Sequence, residues 1–86
     1  MKAIVTVLGK DQVGIIAAVC TLLADNNVNV LDISQTILRE FFTMTMLVDL
    51  SGSKLPFTVL STLLENEGAK RGLAIKIQRE DIFNAM

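Results

Sequence analysis

A helix drawn through residues 13–26, VGIIAAVCTLLADN, has almost no polar face. Ile15, Ile16, Val19, Leu22 and Leu23 point in several directions around it, with Ala17, Ala18 and Cys20 between them. The segment is too long, and too rich in alanine and leucine, to be a strand. A helix that is apolar nearly all round must be covered on more than one side. A second structural layer is therefore required, and the flanking segments have the pattern to provide it.

Residues 2–8, KAIVTVL, are rich in β-branched side chains and read as a strand that Gly9 ends. Asp25-Asn26-Asn27 stops the helix and turns the chain. Residues 28–38, VNVLDISQTIL, alternate imperfectly. Leu31, Ile33 and Ile37 fall on one face; Val28, Val30, Asp32, Ser34 and Thr36 fall on the other. Arg39-Glu40 is the expected hairpin turn into FFTMTMLVDL (41–50), where Phe42, Met44, Met46 and Val48 alternate with Thr43, Thr45, Leu47 and Asp49.

In SGSKLP, Ser51 or Ser53 is the candidate N-cap of a second helix, with Pro56 confined to its first turn. Phe57, Leu60, Leu63 and Leu64 recur at helical spacing, and Gly68 or Gly72 can end that helix. LAIKIQR (73–79) alternates as a last strand with Leu73, Ile75 and Ile77 inward. Residues 80–86 form a tail whose Ile82, Phe83 and Met86 need an apolar surface.

The order is strand-helix-strand-strand-helix-strand. Two interleaved right-handed crossovers then give an α+β, ferredoxin-like βαββαβ plait, a four-stranded antiparallel sheet with two helices on one face. The other sheet face stays open, and Ile4, Leu8, Val28, Val30 and Leu47 are expected on it. Residues 1–86 read as one domain. Half the chain is apolar (51%), while a domain this small buries only roughly 60–65% of its unfolded surface. The surplus implies a partner subunit, most simply in a two-fold homodimer.

Composition also excludes chemistry. Eight basic and nine acidic residues give a net charge of −1, with no footprint for nucleic acid, and four Phe are the whole aromatic complement. No apolar run approaches the ~20 residues that span a bilayer, and no secretory leader pattern opens the chain. With a single cysteine, Cys20, read as a buried hydrophobe, the expected location is cytoplasmic. There is no histidine, hence no Ser-His-Asp or Cys-His pair and no ordinary zinc site. Lys10, Asp11 and Asp32 could do acid–base work, but no arranged nucleophile accompanies them, so no enzymatic activity, catalytic residue, metal or cofactor is expected.

The loop GKDQVG (9–14) decides between users of this fold. It lacks the arginine of an acylphosphatase, the CxxC of a metallochaperone and the GK[ST] ending of a P-loop. The first strand lacks the aromatics of an RNA-recognition motif. Together the first strand, the block GKDQVGIIAAVCTLLADNNVNV (9–30) and LDISQTIL (31–38) resemble the ACT domain, an amino-acid-sensing regulatory module. Gly14 and Ile15 match the glycine and aliphatics at its helix start, and Asn29-Val30 match the N-[IV] that opens its second strand. The resemblance covers the whole chain and implies a stand-alone ACT protein.

That resemblance implies a ligand at a subunit interface. It nominates Asp11, Gln12, Val13, Gly14 and Ile15 on one side, and Asn29, with Val30 and Asp32, on the neighbouring chain. Free N–H groups around Val13–Ile16 suit an α-carboxylate, Asp11 an α-ammonium, and the Asn29 amide either. Each residue also has a plain structural alternative. Asp11 can be the N-cap, Gly14 can allow close helix–sheet approach, Asn29 can bond locally at the turn, and Asp32 can serve a dimer or hairpin hydrogen bond. The implied function is a non-catalytic regulatory homodimer that binds an amino acid or related metabolite, with a separate regulated enzyme or transporter as a further partner. The alternative is a structural or protein-interaction dimer without a ligand.

Overall fold

The computed structural model describes residues 1–81. Its elements run β1 (Lys2–Lys10), α1 (Ile15–Asp25), β2 (Asn29–Leu38), β3 (Phe41–Asp49), α2 (Phe57–Lys70) and β4 (Ala74–Arg79). The strands form one antiparallel sheet in the order β2-β3-β1-β4, as the alternation and connection lengths require. The tail residues Ile82, Phe83 and Met86 lie outside the described residues.

One sheet face and the two helices enclose the core. Val5 and Val7 of β1, Phe42, Met44, Met46 and Val48 of β3, and Ile75 and Ile77 of β4 meet Ile15, Val19 and Leu23 of α1 and Leu60 and Leu64 of α2. The period of two in the strands and the helical spacing in α2 place these residues inward. No polar or charged residue is buried among the described residues, so the core is held by apolar burial and packing alone.

Both helices end in Schellman motifs. In α1, Val28 N–H donates to Leu23 O at 3.0 Å and Asn27 N–H to Ala24 O at 2.9 Å, with Asn27 left-handed at φ 59°. In α2, Leu73 N–H donates to Gly68 O at 2.8 Å and Gly72 N–H to Ala69 O at 3.1 Å. Gly72 (φ 72°) is therefore the terminator. Gly68 lies inside the helix because a Cβ there would stand 2.9 Å from Leu73 O and 2.8 Å from Ile75 Cγ1.

Four expectations are corrected. First, β1 continues through Gly9 to Lys10, because Gly9 and Lys10 pair with Phe42 and Phe41; the missing Cβ at Gly9 makes room for Leu73. Second, α1 starts two residues late, at Ile15, since Gly14 stands at φ 89°, outside helical geometry. Third, neither serine caps α2. Pro56 holds the N-cap position, Ser51 bonds Asp49, and Ser53 Oγ donates to Leu55 O while accepting from Leu55 N–H.

The fourth correction concerns β2, which carries a bulge between Val30 and Asp32. One extra residue, Leu31, reverses which side chains face the helices. Val30 shares the helix-side face with Ile33, Gln35 and Ile37, whereas Asn29, Asp32, Ser34 and Thr36 lie on the open face. Val28 is buried and Val30 packs against the core, so neither belongs to the open face, where Ile4, Leu8 and Leu47 do lie.

Candidate functional site

The β1–α1 loop is fastened at both ends. Asp11 N–H donates to Glu40 O at 2.7 Å, joining the loop to the β2–β3 hairpin. The Gln12 side-chain amide donates to Arg71 O at 3.1 Å, joining it to the end of α2. Between these anchors the chain must reverse into α1, and Gly14 makes the turn in a left-handed conformation. A Cβ on Gly14 would meet nothing within 4 Å, so the glycine answers to backbone conformation and not to close packing.

Asp11 is not the N-cap. The N-cap residue is Gly14, and no side chain caps the helix. The first N–H groups of α1, from Ile15 to Ala17, are thus left for solvent or a ligand. They open into a groove of about 220 Å³ lined by Asp11, Gln12, Gly14, Ile15, Ile16, Ala17, Gln35, Ile37 and Phe42. Its lining combines apolar side chains, Ile37 and Phe42, with the helix end, where the dipole is positive, and the exposed Asp11.

Of the nominated residues, the groove unites Asp11, Gln12, Gly14 and Ile15. Val13 is fully exposed beside it. The β2 residues lie elsewhere within the chain. Asn29 pairs with Asp49 at the far end of the strand and borders a separate hollow with Ala24, Asn27 and Val28. Val30 leans on the core, and Asp32 sits on the open face, its Oδ1 accepting from Ile33 N–H at 2.9 Å.

Gln35, Ile37 and Phe42 complete the groove and were not singled out by the loop motif. A signal for Gln35 exists: it is the polar position between Ile33 and Ile37 on an otherwise apolar strand face. A broader hollow of about 430 Å³ lies between α1 and α2, with Asp25, Glu67 and Arg71 at its rim. Glu67 there already pairs with Lys70 at 3.1 Å.

The edge strand β2 bears on the groove as well. It is exposed along its whole length except at Val30. On the helix-side face, Ile33 and Ile37 remain 40% and 51% exposed. Among the described residues no group of three or more potential metal ligands occurs, and no helix is long and apolar enough to cross a membrane.

Comparison with known proteins agrees with this arrangement. The ACT-domain family model matches residues 2–78. A UPF0237 protein of Clostridium acetobutylicum is 58% identical over 86 residues, spanning 100% of this chain and 97% of the relative. An ACT domain protein from Streptococcus pneumoniae superposes with a TM-score of 0.87 at 46% identity, covering 100% of this chain and 97% of that one. The ligand-free regulatory subunit of aspartate kinase from Thermus thermophilus gives a TM-score of 0.70 at 25% identity over 92% of this chain and 51% of its own. ACT domains are regulatory ligand-binding modules, and by its family match, its relatives and its fold this chain belongs to the ACT-domain family.

Proposed function

We propose that the protein is a non-catalytic sensor of a small zwitterion, an amino acid or close relative, that works as a homodimer. The observation that carries this reading is the uncapped start of α1 opening into the groove beside Asp11. Helix N-termini favour anions, so the α-carboxylate is assigned to the N–H groups of Ile15–Ala17 and the α-ammonium to Asp11. Ile37 and Phe42 face the ligand side chain, and Gln35 offers an amide that both donates and accepts. The groove is smaller than the ~300–1,000 Å³ typical of drug-sized ligands, which suits a metabolite of amino-acid size.

The free edge of β2 and its exposed Ile33 and Ile37 support pairing with a second copy. In this reading the second copy brings its β2 start, Asn29 and Val30, to close the groove. Asp32 sits on the opposite sheet face and is given no ligand contact.

A thermal-shift series against the twenty amino acids at 10 mM is the test. A native-state ligand at 100 times its Kd raises stability by about 2.7 kcal/mol. A shift with at least one amino acid, lost in Asp11→Ala, is expected. Exposed Val13, Leu38 and Phe41 around the same corner favour a second reading, a protein-interaction dimer without a ligand. On that reading no amino acid shifts the melt, and Asp11→Ala and Asn29→Ala leave partner contacts intact.

A further inference from the structure

The open face of the sheet is untouched by the ligand groove. Residues paired across antiparallel strands share a face, so the registers assign its rows. One row reads Asp32–Leu47–Ile4–Gln78, and the next reads Ser34–Thr45–Thr6–Lys76. The middle of both rows is uncharged. The edges carry opposite signs, Asp32 on β2 and Lys76 on β4, and both side chains are exposed. Neither takes part in a salt bridge among the described residues.

We propose that this face docks on the same face of a second copy of the chain, about a two-fold axis that runs parallel to the strands. That axis lays β2 of one copy over β4 of the other. Leu47 then covers Ile4 of the second copy and Thr45 covers its Thr6. Asp32 falls on the Lys76–Gln78 stretch, and symmetry makes every contact twice. An in-plane axis perpendicular to the strands sets acidic edge on acidic edge, so the charge pattern selects the parallel one.

Area points the same way. The chain extends 34 × 29 × 19 Å. Its broad outline is roughly 800 Å², an upper bound on the face that just reaches the area each partner contributes to a standard interface. Sheets packed face to face keep their strands within about 30° of each other, a geometry that preserves the row matching at the centre of the contact. This surface is distinct from the β2 edge. Because β2 of one copy lies over β4 of the other, the free β2 edges of a face-docked pair point in opposite directions, and use of both interfaces builds an open array.

Sedimentation velocity on the intact chain, in low salt over a concentration series, tests the docking. The samples are wild type, Lys76→Glu, Asp32→Lys, the double exchange Asp32→Lys/Lys76→Glu, and Ile33→Arg at the β2 edge. Lys76→Glu and Asp32→Lys are each expected to weaken one association step at least tenfold, and the double exchange to restore it. With both interfaces in use, wild type forms assemblies larger than a dimer that grow with concentration, and Lys76→Glu and Ile33→Arg each leave a dimer. If wild type is a dimer that Lys76→Glu reduces to a monomer while Ile33→Arg does not, the face docking stands and the edge pairing falls. An assembly unaffected by Lys76→Glu, or one that the double exchange does not rebuild, overturns the docking whatever becomes of the edge.

Discussion

Gln12 and Arg71 stand 59 positions apart, and the Gln12 side-chain amide donates to the Arg71 carbonyl oxygen at 3.1 Å. Arg71 is the C-cap of α2, so its carbonyl belongs to a terminus already organised by the Gly68 and Ala69 acceptors. One hydrogen bond thereby fixes the loop of the candidate site to the far helix. A neutral exposed bond contributes about 0.5–1.5 kcal/mol.

Gln12→Ala is expected to lower stability by about 0.5–1.5 kcal/mol, each 1 kcal/mol being worth roughly 4–8 °C in Tm for a domain of this size. Its larger effect is local: amide exchange at residues 11–14 quickens while the core strands keep their protection. Unchanged exchange in the loop would mean that the Asp11–Glu40 backbone bond holds it alone.

Two glycines are required for opposite reasons, and a pair of substitutions separates them. Gly14 has a positive φ and open space, so Gly14→Ala costs about 1–2 kcal/mol of left-handed strain and Gly14→Asn costs less. Gly68 has helical geometry and no space. Alanine there gains about 1 kcal/mol of helix propensity but drives its Cβ against Leu73 O and Ile75. Urea unfolding is expected to rank Asn above Ala at position 14 and Ala above Asn at position 68.

The strand faces were legible because Phe42, Met44, Met46 and Val48, like Ile75 and Ile77, keep a strict period of two, and a sheet with one covered face turns that period into burial. The bulge at Leu31 was not legible. An inserted residue leaves both flanking stretches alternating and changes only their phase, which is set by pairing with β3. Val30 and Asp32 were accordingly placed on one face when they lie on two. The loop half of the candidate site was legible as a motif, since Asp11, Gln12, Gly14 and Ile15 fall within five consecutive positions. Gln35, Ile37 and Phe42 reach the same groove only through the hairpin register, a long-range fact that no local spacing encodes.

Asn27 combines a left-handed backbone with a side-chain bond, its Nδ2 donating to Gly52 O at 2.8 Å. Glycine in its place keeps the conformation and loses the bond; alanine loses both. Asn27→Ala is therefore expected to be less stable than Asn27→Gly by about 1 kcal/mol, and Asn27→Gly less stable than wild type by about as much. Thermal melts of the three proteins check the order. A tie between the two variants would mean that the Schellman turn relaxes out of the left-handed region.

Asp49 supplies a pH-dependent element at the end of β3. Its Oδ1 accepts from the Ser51 hydroxyl at 2.7 Å and from the Ser51 backbone N–H at 2.9 Å. These two bonds, the hydroxyl first, hold the carboxyl below its ordinary value against the opposing effect of desolvation, with smaller help from the N-terminal ammonium and Lys2. A carboxyl that ionises more readily folded than unfolded adds stability above its unfolded pKa, and that stability is lost as pH falls through the lower folded value, hence below about pH 4. Ser51→Ala removes the hydroxyl donor and keeps the N–H, so the Asp49 midpoint should rise part of the way toward the ordinary range. NMR titration of the Asp49 side-chain carboxyl reads this directly. A midpoint unmoved by Ser51→Ala would remove the hydroxyl as the cause and leave the backbone donor in its place.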